Sequence, residues 1–267
     1  MFLDYILRND KVFPAVLTQL RARNTKLNNY NQRKIVLHTI DHLAGKLCIY
    51  PITGEPGAGK DTKARIITLM GQDSGFSLVT TSQVIDWNIA QQTEIGLRFK
   101  QHQASRAKGK MVPDDLILTA LAQEIQRQYD AGMKHIFIAG CPRTKVQAHA
   151  FVRCRVPVKV FHIAVSEQVA LERVRRRSKS EPRADDAVIA NRLLIFKHQT
   201  LPAISLIRKA RSRAFKLIKG DQSIRSQVAH MLRFMDIAPD EVQRLMSRLD
   251  VQTHPARRAM DKAECGN

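Results

Sequence analysis

The sequence predicts an α/β protein, a three-layer fold around a central parallel sheet, and three observations point to it. From residue 45 to about residue 227, short apolar segments of strand length alternate with longer segments of helical periodicity, the pattern of strands joined by crossover helices. A glycine-rich run, GEPGAGKDT over residues 54–62, separates one such strand from the next helix. A second strand, KHIFIAG over residues 134–140, passes at once into a helical pattern through CPRT. A chain of 267 residues suffices for one large domain with appendages and needs no disulfide or structural metal to close its core.

Taken in order, residues 1–44 form an amino-terminal extension. Apolar residues recur there at helical intervals, as Phe2, Tyr5 and Ile6, then Phe13, Val16, Leu17 and Leu20, then Ile35, Leu37 and Ile40. They read as two or three helices, separated by a polar stretch at 23–32, that cover a face of the core. Residues 47–54 (LCIYPITG) read as the first strand, in which Pro51 has no N–H for a ladder bond. Either a bulge falls there or the neighbour supplies no acceptor. Residues 62–70 read as a helix with Ile66, Ile67 and Leu69 available for packing. CPRTKVQAHAF turns into a helix with Pro142 in its first turn. Residues 158–165 (VKVFHIAV) form a further strand, and the helix after it carries Arg173, Arg175, Arg176 and Arg177. A short polar loop holds Arg183, Asp185 and Asp186, and the next helix carries Arg192 with an apolar face of Ile189, Leu193 and Phe196. In the tail, PDEVQRLMSRL starts at Pro239 and aligns Val242, Leu245 and Leu249, while the last dozen residues read as disordered.

Composition narrows the classes. Cys48, Cys141, Cys154 and Cys265 are dispersed and form no Cys-x-x-Cys pair, which argues for reduced thiols, against a zinc site, and for the cytoplasm. No apolar run approaches the length of a membrane span. The net charge of +20 suits RNA or another polyanion, but equally nucleotides, and no helix-turn-helix spacing, zinc-finger ligand set or aromatic stacking module accompanies it.

The motifs carry phosphate chemistry. Gly54, Gly57 and Gly59 allow a tight turn that brings backbone N–H groups to phosphate oxygens, and Lys60 reaches the β- and γ-phosphates. The helix beginning near Asp61 adds its positive end. Arg143, at the carboxyl end of the second strand, faces the crevice where open α/β sheets bind ligands, and its planar fork matches a pair of phosphate oxygens. Arginines converging from two helices and a loop can neutralise charge on a phosphoryl group in transit. His135, His149, His162 and His198 read as packing or surface residues.

Across residues 47–232 the chain resembles the adenylate kinase and nucleoside monophosphate kinase family, through GEPGAGKDT, KGKMVPDDLIL, AGCPRTKVQAHAF, RADDAVIANRLLIFKHQT and LIKGDQSIRSQV in order. The resemblance implies a P-loop nucleoside monophosphate kinase-like core over residues 45–232, with a monophosphate-binding flap at 80–112, a short lid at 175–186 and a helical carboxyl-terminal extension at 233–267. It implies ATP, with Mg2+, as donor and a nucleoside monophosphate as acceptor. By the same resemblance Gly54, Gly57, Ala58, Gly59, Lys60, Asp61 and Thr62 hold the donor phosphates. Thr81, Arg143 and Gln147 hold the acceptor, and Lys60, Arg143, Arg177, Arg183 and Arg192 surround the phosphates in transit.

Three positions depart from the family pattern. Ala139 replaces the aspartate of Asp-Gly-Phe-Pro-Arg, which removes an indirect magnesium contact. Asp61, where glycine is usual, either supplies a replacement metal contact or repels phosphate. In the flap, where relatives have Thr-Gly-Asp-x-x-Arg, this chain has Thr81, Ser82, Gln83 and then Asp86, the wrong charge for a monophosphate. Arg98, Lys100 or Lys110 are candidates to replace the missing cation, and Trp87 is either a pocket wall or a packing residue. The acceptor base therefore stays open. The alternative function is nucleotide-dependent binding of RNA or protein with weakened catalysis.

Overall fold

The computed structural model describes residues 39–180 and 189–253. The expected amino-terminal helices, Arg183, Cys265 and the end of the tail lie outside the described residues.

The elements run β1 (Cys48–Gly54), α1 (Lys60–Met70), β2 (Phe76–Thr80), α2 (Thr81–Ala90), α3 (Glu94–Gln101), α4 (Gln103–Ala107), α5 (Asp114–Asp130) and β3 (His135–Ala139). They continue with α6 (Lys145–Arg153), β4 (Val160–Ala164), α7 (Glu167–Ser180), α8 (Ile189–Ile195), a π turn (Phe196–Thr200), α9 (Leu201–Ala210), β5 (Phe215–Lys219), α10 (Ile224–Phe234) and α11 (Pro239–Thr253). The five strands order as β2-β3-β1-β4-β5 with every pairing parallel. After β1 the chain goes to one side for β2 and β3, then to the other for β4 and β5. That reversal leaves a crevice at the carboxyl ends of β1, β3 and β4.

Each face of the sheet has its own core. Tyr50, Ile52, Phe137, Phe161 and Ile163 pack with Ile67 of α1, Val228 and Leu232 of α10, and Leu245 and Leu249 of α11. On the other face Ile49, Ile136, Ile138 and Val160 pack with Leu118 and Leu121 of α5, Phe151 of α6 and Ile207 of α9. The strands read as near-continuous apolar runs because both faces are covered. Arg248 of α11 donates to the Met70 carbonyl at 2.6 Å, closing the carboxyl end of α1.

Pro51 sits in the central strand without a bulge. Ile49 pairs with Val158 and Ile52 with Phe161, so the register is the same on both sides of the proline. The Cys48 N–H bonds toward β3 and the Ile49 N–H toward the β4 side, at Lys134 and Pro157 respectively. By alternation, residue 51 faces β4, and the β1–β4 ladder skips one rung there. One expected packing residue is turned outward: Leu69 is exposed, because the inward stripe of α1 is Lys63, Ala64, Ile67 and Met70.

Candidate active site

The loop from β1 to α1 is held in a conformation that only glycine permits. Gly57 has φ +88°, and a Cβ there would lie 2.2 Å from the Ala170 carbonyl oxygen of α7. Gly59, at φ 78°, is the left-handed N-cap of α1. The loop is thus pressed against α7 on one side while the first-turn N–H groups of α1 open into the crevice. Lys60 Nζ donates to the Gly54 carbonyl at 2.9 Å and to the Glu55 carbonyl at 2.7 Å, folded onto its own loop. Asp61 is half-buried and Thr62 exposed on the same first turn.

Two neighbours of this loop escaped the sequence reading. Lys63, 4% exposed, donates to the Ala58 carbonyl at 3.1 Å, and burial together with the Arg173 charge pulls its pKa down to about 8. A lysine on the apolar stripe of α1 was the available signal. Burial, then the Glu167 carboxylate, raises the Glu55 carboxyl above its ordinary value, and Glu55 Oε2 is buried without a hydrogen-bond partner among the described residues.

The second side of the crevice is built where β3 ends. Gly140 has φ +91°, and the Thr81 hydroxyl lies 2.4 Å from where a Cβ would stand. Arg143 Nε donates to the Gly140 carbonyl at 2.8 Å, and its guanidinium, like the Thr81 hydroxyl, lies against the spot where a Gly140 Cβ would stand. The Cys141–Pro142 peptide is cis. The helix begins at Lys145, three residues after Pro142, because the Thr144 side chain is its cap, accepting from Gln147 N–H at 3.1 Å. Gln147 is 4% exposed. Its Oε1 accepts from Arg143 N–H at 2.6 Å and from the Cys141 thiol at 3.2 Å, while Nε2 donates to Asp114 Oδ1 at 2.8 Å. The Thr144 hydroxyl donates to that same oxygen at 3.0 Å. The amide of Gln147 therefore braces the turn that carries Arg143. Burial pushes the Cys141 thiol far up, and the three described cysteines are all buried and free.

The third wall comes from α7 and α8. Arg173 donates to the Gly220 carbonyl at 2.9 Å, and Arg176 pairs with Glu172 on the helix surface. The side chain of Arg177 lies outside the described residues. Arg192 is half-buried on α8. Its neighbour Asn191 donates to the Lys108 carbonyl, just after α4, at 3.3 Å, and the Thr200 hydroxyl donates to the Arg143 carbonyl at 3.2 Å. The segment from α8 to the π turn thus joins the end of α4 to the Arg143 turn, around one crevice whose opposite edge holds Lys60.

The family model described as adenylate kinase matches residues 52–212, more than half of the chain. The chain belongs to the adenylate kinase family. An adenylate kinase of Thermus thermophilus is 30% identical over 158 residues, spanning 57% of this chain and 78% of that protein. One from Parvibaculum lavamentivorans is 29% identical over 192 residues, spanning 68% and 90%. A gluconokinase structure from Sinorhizobium meliloti, 14% identical, covers 77% of this chain and 97% of its own at a TM-score of 0.44. As a member of the adenylate kinase family, the protein is an ATP-dependent phosphotransferase.

Within this family frame the departures acquire surroundings. Ala139 is 2% exposed and pairs in register with Ile52 and Thr80, an apolar site where the family pattern has a carboxylate. Asp86 is ion-paired to Arg106 of α4 at 2.6 Å. Arg98 meets Asp115 at 3.6 Å, and Lys100 and Lys110 are exposed. Trp87 is 48% exposed, and the Arg127 guanidinium lies over its ring, 5.9 Å from the centroid. No helix among the described residues is long and apolar enough to cross a membrane.

Proposed function

We propose that the protein transfers the terminal phosphoryl group of ATP, presented as its magnesium complex, to a nucleoside monophosphate. The observation supporting this reading is the pairing of two phosphate-directed cations, Lys60 and Arg143, at the ends of the adjacent strands β1 and β3. Gly54, Gly57, Ala58, Gly59 and Thr62 line the donor loop, and their backbone N–H groups with the first turn of α1 cradle the β- and γ-phosphates. Lys60 exchanges its two carbonyl acceptors for phosphate oxygens. Arg143 and Thr81 grip the acceptor phosphate, Gln147 holds Arg143 in register, and Arg192, Arg177 and Arg183 gather around the group in transit. Transfer is in line, with no covalent intermediate on the protein.

Magnesium fits the donor set in one place. It is a hard cation that keeps its waters and takes one or two protein oxygens beside those of the phosphates, and Asp61 and Thr62 stand next to Lys60 on the first turn of α1. When bound, the ion neutralises charge on the donor phosphates. The buried, apolar Ala139 supports a second reading in which ATP binds but transfer is slow.

The test is ADP formation from ATP and magnesium with a panel of ribo- and deoxynucleoside monophosphates, no-acceptor controls, and direct detection of the nucleoside diphosphate. Acceptor-dependent product identifies the base preference. ATP binding with no such product refutes the proposed transfer and favours the binding role.

A further inference from the structure

We infer that Arg106, held by Asp86, supplies the flap's cation for the acceptor phosphate; this rests on the nucleoside monophosphate reading above. Asp86 stands on the outward side of α2, 61% exposed, and a bare carboxylate there would repel a dianionic phosphate entering the crevice. It is not bare. Arg106 NH1 donates to Oδ1 at 2.6 Å and NH2 to Oδ2 at 3.4 Å. Among the described residues, Asp86 is the one polar partner of this guanidinium, whose side chain keeps 30% of its surface exposed.

An exposed ion pair of this kind contributes less than about 1 kcal/mol to folding. What it fixes is direction. A guanidinium has five N–H groups, and the carboxylate of Asp86 engages two, leaving the rest of a planar fork for a second oxyanion. The backbone that follows Arg106 is tied to the wall of the crevice. Two residues on, the Lys108 carbonyl accepts from Asn191, the neighbour of Arg192, and the same segment reaches the Arg143 carbonyl through Thr200. Three arginines from three elements, Arg106, Arg143 and Arg192, therefore stand on segments hydrogen-bonded to one another around a single opening. Asp86 acts as the orienting residue. A guanidinium at the end of an arginine on position 86 would reach about the same distance from the α2 backbone as that of Arg106 does now through the carboxylate.

Calorimetric titration of AMP, GMP, CMP and UMP, and separately of ATP, into the full chain tests this in the wild type, Arg106→Met and Asp86→Arg/Arg106→Met. Arg106→Met is expected to weaken the tightest monophosphate about tenfold, with ATP affinity and melting temperature nearly unchanged. The double variant, which returns a guanidinium from α2, is expected to restore most of the loss. Equal monophosphate affinity in wild type and Arg106→Met overturns the role of Arg106, as does a loss that the double variant leaves in place. A wild type that binds ATP but none of the four monophosphates overturns the acceptor reading itself, and the inference with it.

Discussion

Lys60 Nζ lies 2.9 Å from the Gly54 carbonyl oxygen, donating back across the loop it belongs to. The ammonium is therefore positioned by its own loop, and in the proposed function donor phosphates would compete with two carbonyl oxygens for its protons. Replacing Lys60 with Met removes the charge without leaving an unsatisfied buried donor. Turnover is expected to fall about 100- to 1000-fold, the usual loss when one electrostatic stabiliser of a transition state is deleted. Far-UV circular dichroism and the melting curve should stay close to wild type. Unchanged acceptor-dependent turnover in the folded variant would remove Lys60 from the mechanism.

Asp114 is the next test, because one of its oxygens receives both the Thr144 hydroxyl and the Gln147 amide. Asp114→Ala leaves both donors without that acceptor, so stability should drop by about 1–3 kcal/mol. The turn carrying Arg143 loses its brace, so the acceptor KM should rise more than the ATP KM. Asp114→Asn keeps an oxygen in place and should recover part of both effects. A KM rise shared equally by the two substrates would show that the network does not act on the acceptor side in particular.

Much of this was legible in the residues, for identifiable reasons. Glycines at 54 and 57 are required by backbone carbonyls that leave no room for a Cβ and Gly59 by its left-handed φ, so their spacing carries the loop's shape. Strands β1, β3 and β4 announce themselves because both sheet faces are buried. Pro51 was not decidable, since a bulge and a skipped rung look alike in sequence and only the common register of Ile49 and Ile52 separates them. The start of α6 was misplaced because Pro142 carries a first-turn signal, whereas the Thr144 cap sets the boundary. Arg106 was invisible for another reason. Its meaning depends on Asp86, twenty positions away, and a pairing across two short helices leaves no periodic trace.

His162 gives a pH prediction. It lies on β4 with Nδ1 3.2 Å from the Thr53 hydroxyl, stacked near Phe196 and Phe215. Burial, with the Lys60 charge nearby, pulls its pKa from 6.5 down to about 4. The unfolded chain therefore takes up a proton on His162 before the folded one does. Stability from this group is full above pH 6.5 and is lost as pH falls from 6.5 toward about 4, by at most about 3 kcal/mol. His162→Phe keeps a ring in the stack, and the Thr53 hydroxyl still donates to the Phe161 carbonyl at 3.1 Å. Denaturant titrations at a series of pH values should show a shallower acid decline in the variant. Parallel declines for the two proteins would mean that His162 titrates normally in the fold.

Ala139 and Asp61 are the two positions that test how a magnesium ion would be held. A carboxylate at position 139 would be enclosed by β1 and β2, whose paired residues there are Ile52 and Thr80. Ala139→Asp should therefore cost about 1–3 kcal/mol of stability. If Asp61 supplies the protein's contact to magnesium, Asp61→Asn should raise the magnesium concentration needed for half-maximal turnover several-fold. Ala139→Asp in the wild-type background should then bring no large rate gain, because the contact it would restore is already made from α1. In the Asp61→Asn background it should bring turnover back toward wild type, since it would return one carboxylate, from the end of β3, in place of the one removed from α1. A large gain from Ala139→Asp alone, with Asp61→Asn silent, would reverse this order and make Asp61 an onlooker beside the donor loop.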